Sequence, residues 1–161
     1  MPSLKPTAFL ATLEVLTRHE VEFVVVGGLA ATLQGVPLVT FDVDVVHARS
    51  QPNLDRLMAA LDELQATYRT DHRGLPPSRE ALATSGRSLF RTKLGVLDVL
   101  GTIEGGATFE ALLPDALEVT VGDVQFHLVR LERLAALKRL GTRDKDQITL
   151  RAIEQTLIRR K

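Results

Sequence analysis

Val24 to Val46 reads VVVGGLAATLQGVPLVTFDVDVV. The β-branched run Phe23–Val26 suits a buried strand. Gly27-Gly28 ends that strand, and residues 29–34 (LAATLQ) predict a short helix closed by Gly35. Pro37 breaks the chain before a second strand, expected from about Val39 to Val46. This strand carries Asp42 and Asp44, and carboxylates inside an apolar run are costly to bury unless something binds them. Side chains alternate along a strand, so the two aspartates share one face while Phe41, Val43 and Val45 take the other. Positions two apart are separated by about 7 Å, which lets their side chains converge on one divalent cation or on a pair. Neighbouring carboxylates raise each other's pKa unless a cation neutralises them. Hard oxygen ligands with open positions suit Mg²⁺, or Mn²⁺, bound partly through substrate phosphates.

Asp98 extends the pattern, since it lies inside a second apolar strand, GVLDVL (95–100). If that strand neighbours the first, a spacing of about 4.8 Å brings three carboxylates to one point. If both are edge strands, the aspartates simply face water. Gly27-Gly28 permits close backbone approach, and a strand–turn–helix junction offers N–H groups and partial positive charge to a phosphate.

The remaining chain fits an α+β domain, a small mixed sheet packed against helices with two helices at its C-terminal end. Residues 7–19 show apolar helical spacing at Phe9, Leu10, Leu13 and Leu16. SQPNLDRLMAALDEL (50–64) predicts a helix with Pro52 in its first turn and a stripe of Leu54, Leu57, Met58, Leu61 and Leu64. Residues 69–87 look least regular, with a short helix starting at Ser78, and form a candidate substrate loop. SLFRTK (88–93) predicts a strand, and 116–129 a hairpin turning at Gly122-Asp123. A helix over about Leu131–Leu140 stops at Gly141, and another starts near Asp144, with Asp144 and Gln147 spaced as a capping box.

The chain has 161 residues, 45% of them apolar, no cysteine and a net charge of zero. This length suits one domain, spanning 1–161, and the lack of cysteine excludes disulfides and thiolate metal sites. No signal peptide is expected, no run reaches the roughly 20 apolar residues of a membrane helix, and a cytoplasmic location follows. Charge is uneven: residues 130–161 carry ten Lys/Arg against four Asp/Glu. That basic third would face an anionic partner such as a triphosphate or RNA, or form a solvated helical face. The four histidines show no metal-ligand spacing.

A hydrophobic residue, GG, thirteen residues and then Asp-Val-Asp-Val resemble the signature of the DNA polymerase β-like nucleotidyltransferase superfamily. Val26-Gly27-Gly28 and Asp42 to Val45 match it, and Asp98 stands where that superfamily has its third carboxylate. LERLAALKRLGTRDKDQ, with Lys138, Gly141, Arg143, Lys145 and Asp146, resembles small bacterial members related to AbiEii toxins. The resemblance runs from about residue 10 to 155. Relatives often carry Arg where this chain has Leu38, with Thr40 kept.

The resemblance implies Mg²⁺-dependent transfer of a nucleoside monophosphate from a nucleoside triphosphate to an acceptor: tRNA, a protein or a small molecule. Asp42, Asp44 and Asp98 would be both catalytic and metal-binding, with Asp98 nearest the attacking hydroxyl. Gly27, Gly28, Thr40, Lys138 and Lys145 would bind the nucleotide. A toxin–antitoxin role, with a cognate antitoxin as partner, is compatible with this reading. The alternative is a catalytically inactive nucleotide-binding or regulatory module on the same fold.

Overall fold

The computed structural model describes residues 6–141 and 143–161. Its strands are β1 (Phe23–Val26), β2 (Asp42–His47), β3 (Thr67–Tyr68), β4 (Arg87–Thr92), β5 (Gly95–Leu100), β6 (Leu117–Val121) and β7 (Val124–Leu128). Its helices are α1 (Pro6–Arg18), α2 (Gly27–Leu33), α3 (Gln51–Glu63), α4 (Arg79–Leu82), α5 (Phe109–Leu112), α6 (Leu131–Lys138) and α7 (Asp144–Arg159). The strands form a seven-stranded sheet in the order β3-β4-β5-β2-β1-β7-β6. It is mixed: β2–β5 and β1–β7 are parallel, and the remaining pairs are antiparallel. The expected α+β architecture is therefore present.

Periodicity decides which faces are buried. Val43, Val45, Leu97 and Val99 alternate with the aspartates and lie in one core with Leu13 and Leu16 of α1 and Leu54, Leu57 and Leu61 of α3. Each fully buried leucine of this kind contributes about 1.5–3 kcal/mol. Helix α3 starts as its sequence requires: Ser50 Oγ accepts from Asn53 N–H at 3.3 Å, and Pro52 occupies the first turn. Asn53 is buried with its amide satisfied, accepting from Glu22 N–H at 2.7 Å and donating to Ala48 O at 2.7 Å. It ties α3 to the entrance of β1 and the exit of β2. Gln34, after α2, donates to Val129 O at 2.8 Å and accepts from Leu131 N–H at 3.0 Å, which fixes the start of α6 beside α2.

Four expectations need correction. The second strand starts at Asp42, not Val39. Residues before 42 have no partner on the β1 side, since β1 ends at Val26 opposite Asp44, and Val39 and Phe41 are exposed. Phe41 therefore lies outside the strand. The short helix begins at Gly27 itself rather than after the glycines. Asp144 is the first residue of α7, not its cap; Arg143 holds the cap position and no side chain caps the helix. Residues 67–68, to which the sequence reading assigns no element, form edge strand β3 by pairing Tyr68 with Phe90. The ring centroids of this pair lie 4.8 Å apart. The short helix after Ser78 is present as α4, with Ser78 Oγ accepting from Ala81 N–H at 3.2 Å.

Candidate metal and nucleotide site

Register brings the three aspartates together. In the parallel β2–β5 ladder, Asp44 stands opposite Asp98 and Asp42 opposite Val96. Cross-strand partners share a face, so Asp42, Asp44 and Asp98 project to the same side of the sheet. Each offers a carboxylate oxygen, and these oxygens lie within 4.8 Å of one another. Both strands are interior to the sheet, so the carboxylates do not belong to edge strands.

Asp44 is strongly perturbed. Burial, then the charges of Asp98 and Asp42, push its carboxyl up to about 7, while the positive charge of Lys145 works the other way. Asp44 Oδ1 is buried and has no hydrogen-bond partner among the described residues. A buried acceptor without a donor is costly, and here it sits among two further carboxylates. An oxygen-only cluster of this kind fits a hard divalent cation, which would satisfy the orphan oxygen and relieve the repulsion.

The glycines are explained by what they touch. Gly27 has φ +68, and a Cβ there would lie 2.4 Å from Asp44 Oδ2. A Cβ on Gly28 would lie 3.1 Å from Thr40 Oγ1. Thr40 Oγ1 donates to Asp42 O at 3.3 Å, fixing the chain just before the strand. Gly27, Gly28, Thr40, Asp42 and Asp44 thus form one contiguous unit. Leu38 is part-buried and packs against the core, so an apolar contact fills the position where the resemblance leads one to expect Arg.

The sequence reading missed Arg69. Its guanidinium engages both oxygens of Asp98, through Nη1 to Oδ1 and through Nη2 to Oδ2 at 3.2 Å. An arginine after a two-residue strand leaves no periodic signal; only the pairing of β3 with β4 places it here.

A cavity of about 480 Å³ opens beside the carboxylates, lined by Val26, Gly27, Asp44, Asp98, Glu104 and Lys138 among others. Arg87 and Arg143 also reach it. The two expected lysines differ in situation. Lys138 Nζ lies 3.3 Å from Glu104 Oε1 and 3.3 Å from Asp146 Oδ1, and is mostly buried. Lys145 is exposed, makes no ion pair among the described residues, and still acts on Asp44 through its charge. Asp146 is buried, and its side chain also accepts from Arg143 at 3.2 Å. Burial alone would raise its carboxyl; Arg143 and Lys138 outweigh this and hold it below the ordinary value. His47 lies on the opposite face of β2 and donates from Nε2 to Leu82 O at 2.7 Å.

A family model described as "Nucleotidyl transferase of unknown function (DUF2204)" matches residues 6–161. None of the curated proteins compared with the chain matches it. Among solved structures, the lincosamide antibiotic adenylyltransferase LnuA, bound to lincomycin, aligns with a TM-score of 0.64 at 9% identity, covering 96% of this chain and 99% of that one. The antibiotic-resistance factor ANT(2'')-Ia aligns with a TM-score of 0.57 at 14% identity, covering 94% and 83%. A putative nucleotidyltransferase from Thermotoga maritima gives 0.53 at 16% identity, covering 96% and 89%. At these identities the likeness is one of fold. No helix among the described residues is long and apolar enough to cross a membrane.

Proposed function

The chain belongs to this nucleotidyl transferase family, and on that premise we propose that it transfers a nucleoside monophosphate from a nucleoside triphosphate to an acceptor hydroxyl, at Asp42, Asp44 and Asp98. In the reaction the acceptor oxygen bonds to the α-phosphorus, the bond from that phosphorus to its bridging oxygen breaks, and pyrophosphate leaves. The observation that carries the reading is the convergence of three carboxylates around a buried, unpartnered Asp44 oxygen.

A divalent cation, Mg²⁺ or Mn²⁺, held by Asp42, Asp44 and Asp98 would neutralise triphosphate charge and favour ionisation of the acceptor hydroxyl. The chain's own groups divide the remaining work. Asp98 is assigned to the acceptor side and takes up the hydroxyl proton. The first-turn N–H groups at Gly27 and Gly28 have no partner within the helix and are assigned to phosphate oxygens. Thr40 keeps the approach to Gly28 in place. Lys145, exposed and acting on Asp44 through its charge, is assigned to the triphosphate, and so is Lys138 at the cavity wall.

Calorimetric titration of Mg²⁺ with each nucleoside triphosphate, on the parent and on Asp42→Asn and Asp44→Asn, tests this. Metal-dependent binding lost in both variants is expected; equal binding in all three would refute it. A single domain over 1–161, AbiEii-like descent, a tRNA or antitoxin partner and a role in a toxin–antitoxin pair belong to the same proposal. The single domain rests on the length of 161 residues, and the others on the Lys138–Asp146 stretch and the basic C-terminal third. Growth arrest on expression, abolished by Asp44→Ala, is the expected sign of a toxin.

A further inference from the structure

Arg69, Leu89, Asp98 and Asp44 stand in one transverse row. Arg69 N–H donates to Leu89 O at 3.0 Å, Leu89 opposes Asp98, and Asp98 opposes Asp44. Arg69 therefore reaches across β4 on the carboxylate face and occupies both oxygens of Asp98. The side chains of Asp98 and Arg69 are 8% and 23% exposed. The negative charges of Asp42 and Asp44 act on the same guanidinium.

We propose that Arg69 is a positioning residue that serves as a resident counter-cation: it holds Asp98 in the metal-free protein and sets how tightly the three carboxylates bind a divalent cation. The inference rests on the reading of these carboxylates as a cation site. Three anions this close repel, and a guanidinium paired with one of them lowers the repulsion at no cost in hydration of a free ion. The same pairing uses both Asp98 oxygens, so a cation that needs one of them displaces a hydrogen bond as it enters. It also meets a fixed positive charge one carboxylate away. The pair is placed to yield, because Arg69 follows the two-residue edge strand β3 and precedes a largely exposed segment. Arg69 thus favours the empty site and weakens binding of the metal alone, which leaves tight binding to the moment when phosphate oxygens arrive with it.

The test uses Mn²⁺ alone, with free Mn²⁺ counted by electron paramagnetic resonance, on the full chain. Arg69→Met is expected to bind Mn²⁺ at least tenfold more tightly than the parent, and Asp44→Asn in either background to abolish the binding. Arg69→Lys, which keeps the charge but cannot bridge both oxygens, is expected to be a few-fold tighter. Affinity unchanged or weaker in Arg69→Met, with the parent still sensitive to Asp44→Asn, would show a purely structural ion pair and overturn the inference while leaving the cation site intact. Mn²⁺ binding indifferent to Asp44 in every variant would instead overturn the cation site and this inference with it. Should Arg69→Met lose its far-UV circular dichroism, Arg69→Lys decides: a tighter site supports the counter-cation, and parental affinity overturns it.

Discussion

Gly27 and Asp44 exclude one another's growth: the space a Cβ on Gly27 would need is taken by the Asp44 carboxylate, 2.4 Å away. The glycine that ends β1 therefore keeps room for the carboxylate on β2, and the two halves of the motif depend on each other sterically as well as chemically.

Gly27→Ala is expected to destabilise the protein by about 1–2 kcal/mol from the left-handed backbone alone, with a further loss from displacing Asp44. Urea unfolding of Gly27→Ala, Asp44→Ala and the double variant separates the terms. In the Asp44→Ala background the alanine should cost less, since only the Cβ of residue 44, at 3.3 Å, is left to crowd it. Strict additivity would count against the steric account.

Asp44→Asn should stabilise the metal-free protein. The folded state holds the Asp44 proton up to about 7, against 3.8 for a free carboxyl, so it binds more protons than the unfolded chain between these values. Parent stability thus contains a loss that grows as pH rises from about 4 to 7 and is constant above. Unfolding in chelator at pH 4, 6 and 8 should show Asn ahead by on the order of 2 kcal/mol at pH 8, with the gap closing at pH 4.

The two lysines should separate by assay. Lys138 is mostly buried between Glu104 and Asp146, so Lys138→Met is expected to cost about 1–3 kcal/mol by removing one of the two cations on buried Asp146, with Arg143 left to hold the other contact. Lys145→Gln should shift stability by no more than about 0.5 kcal/mol, because the residue is exposed, yet weaken nucleoside triphosphate binding several-fold. Thermal melts and nucleotide titration on both variants check this.

Leu38→Arg, which installs the residue that the superfamily resemblance leads one to expect, is expected to cost about 1–2 kcal/mol, because Leu38 packs against the core. Nucleotide affinity should not improve. A variant of parental stability with tighter nucleotide binding would show that the position still opens onto the site.

Much of this site was legible because strand periodicity is local. Asp42, Asp44 and Asp98 each betray themselves as single charges in apolar runs, and one face follows from a period of two. The adjacency of β2 and β5 was only a condition in the sequence; the register meets it. Arg69 was not legible, because its partner lies two strands away and β3 has only two residues. The start of β2 at Asp42 was misplaced because Val39 and Phe41 look like strand formers, and only the end of β1 shows that they lack a partner on that side. Lys138 was visible as a cation, but its engagement with Glu104 and Asp146 depends on how the segment before α5 meets α6 and α7.

The opposition of Asp44 to Asp98, with Val43 opposite Leu97 and Val45 opposite Val99, also polices assembly of the sheet. Slipping β2 by one residue against its neighbours would turn Asp42 and Asp44 into the apolar core and expel Val43 and Val45. Buried carboxylates facing leucine cost several kcal/mol each, so the slipped register lies well above the native one in free energy. The three carboxylates thereby disfavour a slipped pairing of the sheet whatever they bind.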